Sequence, residues 1–311
     1  MVPLVVRSHY SLMQGVNSPK QLCRAAVRMG YDCLALTDVD NLYGMWHFIT
    51  ACQREGLRPI IGAEVSDPIS GNRAVCLVEN SSGYRNLCRL LTRRQTADAF
   101  DLEKDLPARA GGLTVLVRDA DFLETWHAKG VRVVANMPVK PLPNSHSLCC
   151  KARYLGVPVV ATPGSFFLDP KERPVHQLLR AIDRNTVPSN LPARDVAPAD
   201  AWLAGPDTYR ERFAICPDAL RASREIAERL VFKGPDFGVV LPPWERDNGN
   251  GQRSDASLRE AVYAGAAVRY GGELPEPVVE RVEHELDVIA HMGFAPYFLV
   301  VKGIVGSTPR T

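Results

Sequence analysis

The chain has almost no net charge, no paired-cysteine motif and no long apolar run, and each absence removes a class of function. Its formal net charge is +2 over 311 residues, so overall electrostatics do not mark a nucleic-acid binder, although a local basic face stays open. None of the eight cysteines forms a C-x-x-C pair, and the adjacent Cys149 and Cys150 do not read as a zinc knuckle. Cys33, Cys52, Cys76 and Cys88 sit in apolar surroundings, where cysteine behaves as a small buried hydrophobe. That usage fits a reducing cytosol. The apolar run 294–301 is too short to span a bilayer and contains Pro296. The opening MVPLVVRSHY lacks a basic leader followed by a long apolar core. The expected location is therefore cytoplasmic, with no membrane partner. No P-loop, G-x-G-x-x-G, Ser-His-Asp order, low-complexity tract or internal repeat beyond a β/α unit is present.

What is there is a regular alternation. Short apolar runs at 2–6, 33–37, 58–61, 74–78, 113–117, 131–135 and 158–161 read as seven strands buried on both faces. Between them lie helices with clear end signals. Ser18-Pro19-Lys20-Gln21 supplies a capping box with proline at the first helical position, and Gly30 closes that helix. Gly56 ends the next helix, and Asn80 or Ser81 starts another. Asp40 reads as the N-cap of a helix beginning near Leu42. Such alternation predicts an α/β fold with a parallel sheet or barrel. After Phe167 helices dominate, at 172–183, 207–213, 217–230, 254–270 and 276–291. The expected organisation is a barrel with its closing helices over 1–232, a Gly-, Pro- and Asp-rich linker over 233–253, and a second, helical region over 254–311.

The most informative stretch is 31–65, YDCLALTDVDNLYGMWHFITACQREGLRPIIGAEV. It reads as two strand ends joined by a helix, with Asp38 and Glu64 at the strand ends. Carboxylates at the carboxyl ends of successive strands are what a metal-dependent barrel site needs.

MVPLVVRSHYSLMQGVNSP, LTDVDNLYG, PIIGAEV, GYRNLCRLLT and VPVVATPGSFFLDP together resemble the N-terminal PHP domain of bacterial family C DNA polymerases, the polymerase III alpha subunits and their error-prone relatives. RVEHELDVIAHMGFAPYFLVVKGIV resembles the segment where those enzymes enter the polymerase body. The resemblance implies a distorted seven-stranded β/α barrel with a mainly helical C-terminal extension. Active members bind divalent metals at the strand ends, and metal-bound water attacks a phosphoester. Their first strand carries H-x-H; the matching residues here are Val5 and Arg7. Their T-D-H motif is Thr37-Asp38-Val39, and the third motif keeps its acid as Glu64. A strand-end Cys or His expected near Val117 to Asp119 is absent. The final D-x-H is Gly164-Ser165-Phe166.

The resemblance therefore implies that no catalytic set is intact. Two carboxylates alone hold Mg²⁺ weakly and cannot hold a cluster of transition metals. Arg7 lies on a strand face that would point where metals would sit, and its guanidinium is expected to replace them by neutralising Asp38 and Glu64. His9, one step along that face, either joins Asp38 and Glu64 around a single Mg or Mn ion or is a loop residue hydrogen-bonded to backbone. His176 reads as a packed or capping residue. Arg89, Arg93 and Arg94 form a basic cluster, and Arg180 with Arg184 another; each is either a solvated face or a contact for template phosphates.

Two functions follow as expectations. The first is a scaffolding module in DNA replication or translesion synthesis, acting through a longer polymerase with DNA and other polymerase subunits as partners. It needs no cofactor of its own, while the polymerase uses Mg. The resemblance places the glycine-rich loop and palm aspartates beyond Thr311, so nucleotidyl transfer is not expected from these residues. The second is a metal-dependent phosphoesterase, a phosphatase or exonuclease, with a remodelled site of His9, Asp38 and Glu64. The short region between Thr92 and Pro158 leans towards an error-prone rather than a replicative relative.

Overall fold

Six of the apolar runs fold as strands. The computed structural model describes residues 1–138, 145–238, 244 and 252–307, which form two units, Met1–Pro235 and Asp236–Thr311. In the first unit β1 (Cys33–Val39), β2 (Arg58–Ser66), β3 (Arg73–Val78), β4 (Leu113–Val117), β5 (Val133–Met137) and β6 (Val159–Ala161) pair in chain order in one sheet. β1 is parallel to β2, and β4, β5 and β6 are parallel to one another.

β3 runs antiparallel to both neighbours, which corrects the expected all-parallel sheet. The reason is the connection 67–72, too short for a crossover helix. It is a hairpin loop in which Asp67 Oδ1 accepts from the backbone N–H groups of Ile69 and Ser70, and Gly71 takes φ +73°.

The expected first strand, 2–6, makes one parallel bridge, Val6 to Ser165. Pro3 has no N–H to give, and the Val6 N–H goes to Thr37 Oγ1 at 3.1 Å rather than to a ladder carbonyl. The strip is still tied on both sides. Ala35 and Thr37 donate to the carbonyls of Pro3 and Val6 (3.2 and 2.8 Å), Ser165 donates to Val5 (3.1 Å), and Arg7 donates to Ser165 (3.0 Å). It thus bridges the β1 edge and the chain after β6, and the sheet is a curled six-strand half-barrel.

Side-chain alternation sorts residues between the two faces. Val5, Cys33, Ala35, Ile60, Val75, Leu77, Leu116, Val134 and Val160 fill the inside of the curl, closed by Ile226 and Ala227 of the helix Pro217–Arg229. The intervening residues face outward. There Leu34, Leu36, Ala63, Cys76 and Val115 meet helices that include Pro19–Arg28, Met45–Glu55 and Ser81–Thr96. The capping box at Ser18 and Gln21 is formed, Asn80 caps the third of these helices, and Gly56 adopts the left-handed conformation at the end of the second. Asp40 is not a helix cap: that helix starts at Met45, and Asp40, at φ +56°, instead receives Ser66 N–H at 2.7 Å.

The second unit holds helices Gln252–Tyr270, Glu276–His291 and Ala295–Ser307. Leu258, Leu286, Ala295 and Leu299 form its small core. No single helix among the described residues is long and apolar enough to cross a membrane; the last two pass that test only together, and they are bent by 111°.

Leu116 is fully buried inside the curl, so Leu116→Ala is expected to cost about 2–5 kcal/mol, read as a lower urea midpoint at unchanged m-value.

Candidate functional site

Alternation continues past the apolar interior to the open end of the curl, where it delivers polar groups. Four residues beyond Ile60, and two beyond Gly62, comes Glu64; two before Val75 comes Arg73; two after Leu116 comes Arg118; two after Val5 comes Arg7. β3 runs the opposite way, so its first residue sits at the end where the other strands finish. Three guanidinium groups therefore share one strand end with a single carboxylate.

Glu64 is 3% exposed and Arg7 likewise. Arg7 Nη2 donates to Glu64 Oε2, and Arg73 Nη1 donates to Oε1 at 2.6 Å. Arg73 lies diagonally across the β2–β3 ladder, since Glu64 is opposite Val75. Burial alone would push the Glu64 carboxyl up, but Arg7, Arg73 and Arg118 overcome it and hold the group at about 2. The Arg7 guanidinium also lies over the Phe166 ring, 4.2 Å from its centroid. Gly164 leaves room beside it: a Cβ there would sit 3.2 Å from Arg7 Nη1.

Asp38 belongs to the other face. In the β1–β2 register it pairs with Ala63, and Val39 pairs with Glu64, so Asp38 points with Leu34 and Leu36 towards the helix layer. Its oxygens receive Ser8 N–H at 2.7 Å, Ser8 Oγ–H at 2.8 Å and Ser11 Oγ–H at 2.6 Å. Burial nonetheless raises its pKa, with the serine hydrogen bonds and Arg7 opposing. Consecutive residues 7 and 8 thus serve opposite faces: Arg7 takes Glu64 and Ser8 takes Asp38. Glu64 has direct guanidinium partners and Asp38 direct hydroxyl and amide partners, while the Arg7 charge acts on Asp38 without a direct hydrogen bond.

His9 does not join either acid. The chain turns after Ser8, with His9 N–H donating to Asn17 O at 2.9 Å. The exposed His9 ring packs edge-on against Tyr10 at 4.6 Å, in a groove shared with Lys20, His47 and Arg54. Among the described residues no group of three or more His, Cys, Asp or Glu side chains is placed to hold a metal ion, and both Glu64 oxygens already face guanidinium groups.

The other expected residues separate. Arg94 is engaged structurally, donating to Ser66 O at 2.6 Å and pairing with Asp40 at 3.3 Å. Arg93 pairs with Asp105, and with Arg85, Arg89 and Arg109 it lines an open groove of about 630 Å³. His176 is buried. Its Nδ1 lies 2.6 Å from Gln14 O, and its Nε2 accepts from Ala197 N–H at 2.9 Å, which assigns the proton to Nδ1. Burial lowers its pKa.

Residues 3–132 match the family model described as PHP domain, and residues 256–309 match that of the Bacterial DNA polymerase III alpha NTPase domain. Over 97% of its length the chain is 32% identical to the error-prone DNA polymerase of Mycobacterium tuberculosis, and over 99% it is 28% identical to the DNA polymerase III subunit alpha of Bacillus subtilis. The chain carries a PHP domain and is homologous over nearly its whole length to these polymerases. It spans 31% and 30% of those two relatives. A solved amidohydrolase from Chromobacterium violaceum aligns at 15% identity and TM-score 0.42, over 75% of this chain and 98% of that one.

Within this PHP domain, reasoning from sequence missed Arg73 and Arg118. Arg118 lies in the window where the resemblance places a strand-end Cys or His, and Arg73 is found only once the hairpin reverses β3. The Glu64 pair sets an acid limit. The folded carboxyl titrates near 2 against an ordinary 4.5, so its contribution is complete above pH 4.5 and is lost as pH falls towards 2, on the order of 3 kcal/mol. Asp38, with its raised pKa, works in the opposite sense. The readout is therefore the stability gap between wild type and Glu64→Gln, which is expected to shrink as pH falls through that window in denaturant titrations.

Proposed function

We propose that this PHP domain is a structural platform within a DNA polymerase III alpha-like or error-prone polymerase, its metal site replaced by a buried salt bridge. One observation carries the reading: Arg7 and Phe166, which stand where the resemblance expects two imidazole ligands, stack on each other beside Glu64. Arg118 stands in a third ligand window, and Gly164 replaces an acid. The departures touch one another, so they form one replacement rather than scattered losses. An ion at this end would have to displace two guanidinium groups from Glu64 and would meet their repulsion.

In this reading the strip 2–6 is the seventh stave of the barrel, residues 233–253 are a linker, and 254–311 begin the polymerase body. The exposed Ile304 and Val305 on the helix Ala295–Ser307 are surface that a larger body would cover. DNA and other polymerase subunits are partners of the longer protein in the cytosol, with Mg serving its nucleotidyl transfer. Arg89 and Arg93 are placed to meet template phosphate in the groove they share with Arg85.

Metal analysis of the purified protein after incubation with manganese tests the reading. Far less than one ion per chain is expected. One Mn, Zn or Fe per chain, lost in Asp38→Ala, would contradict it and favour a phosphoesterase with a remodelled site of His9, Asp38 and Glu64.

A further inference from the structure

A groove in the helix layer lies apart from the strand-end site. It holds about 450 Å³ and is lined by the helices Pro19–Arg28 and Met45–Glu55, a size suited to a small ligand or a short piece of chain. Helical period places its polar groups. Lys20 and Arg24 are one turn apart on the first helix, and His47 and Arg54 are two turns apart on the second. The loop after Ser8 adds His9 and Tyr10.

Two independent features mark this groove. The first is a set of three rings. Tyr10 stacks on His47 with centroids 5.8 Å apart and planes 8° from parallel, and His9 meets Tyr10 edge-on at 4.6 Å. His9 and His47 are exposed. The Tyr10 backbone is fixed at both ends, its N–H donating to Ser8 Oγ at 3.1 Å and its carbonyl accepting from Asn41 Nδ2 at 2.9 Å. A platform held in this way loses little freedom when a ligand arrives. The second is charge. Lys20, Arg24 and Arg54 line the groove with one acid, Glu55. Arg24 takes that acid at 3.2 Å, and among the described residues Lys20 and Arg54 form no ion pair.

We propose that this groove binds an unpaired nucleic-acid strand, with a base lying against the His9, Tyr10 and His47 rings and phosphates meeting Lys20 and Arg54. Tyrosine and histidine rings accept any base, because every base has a flat π-face. The cations supply a contact that does not depend on sequence and weakens with salt. A duplex hides its base faces, so the rings select single strands over paired ones. The groove shares no residue with the strand-end site, and its ligand needs no metal there.

The test is fluorescence anisotropy of a labelled thymidine strand about ten nucleotides long, titrated with the whole chain in EDTA, beside an abasic strand of equal length. Saturable binding of the thymidine strand is expected, with the abasic strand weaker by about fivefold or more. His47→Ala should weaken the thymidine strand by a similar factor and leave the abasic strand unchanged. His47→Phe, which keeps a ring, should bind as wild type does. Lys20→Gln and Arg54→Gln should each weaken both strands and flatten the log–log salt dependence by about 0.7. Arg89→Gln, in the separate groove beside Arg93, should leave the ratio between the two strands unchanged. No saturable binding, equal binding of the two strands by wild type, or an unchanged affinity in His47→Ala would each overturn the proposal. Thymidine monophosphate binding as tightly as the strand would also overturn it, by assigning the groove to a free nucleotide.

Discussion

A buried arginine has to be answered by a buried acid, and the pairing of Arg7 with Glu64 is the constraint around which the open end of this half-barrel is arranged. Taking both charges out of water costs several kcal/mol per ion before their attraction is counted. The pair is tolerable because Glu64 has a second guanidinium on its other oxygen and Arg7 has the face of Phe166 beneath it. Remove Glu64 and Arg7 is left in a site that cannot solvate it; remove Arg7 and Glu64 keeps only its partner on the other oxygen, Arg73. Gly164, the hairpin that brings Arg73 round, and the strip 2–6 that carries Arg7 all acquire their roles from this requirement.

The same strip shows how little sequence is needed to keep two acids apart. Arg7 and Ser8 are adjacent, and the pleat sends them to opposite faces. One meets Glu64 with full charge. The other, with Ser11, meets Asp38 through neutral hydroxyl and amide donors. The consequences for the acids are opposite in sign: Glu64 is held well below its ordinary range, while burial wins at Asp38. The β1–β2 register, with Asp38 opposite Ala63 and Val39 opposite Glu64, sends the two carboxylates to opposite faces.

Much of this was legible beforehand. Strands β4 and β6 and the capping box at Ser18 follow from apolar runs and end signals, and the strand-end positions of Asp38 and Glu64 follow from the apolar runs before them. What was not legible depends on direction and register. The motif DPISGN at 67–72 carries turn chemistry, but regular alternation on either side suggested another parallel strand, which hid Arg73. Proline at position 3 warned against a full first strand. Counting two residues past an apolar strand residue finds Arg118, yet which face it shares with Glu64 is a property of the curled sheet. The two readings of His9 divide on a local feature: the period of two that would place it beside Arg7 ends after Ser8, and its backbone N–H donates to Asn17 O.

The most direct measurement is a double-mutant cycle on folding stability with Arg7→Met, Glu64→Gln and the double variant. If the salt bridge is what holds this end of the half-barrel, each single change costs on the order of 3–5 kcal/mol and the double costs clearly less than their sum, because the Arg7–Glu64 attraction is lost only once and Arg7 is not left buried without its acid. Additive costs, with no coupling between the two positions, would contradict the account.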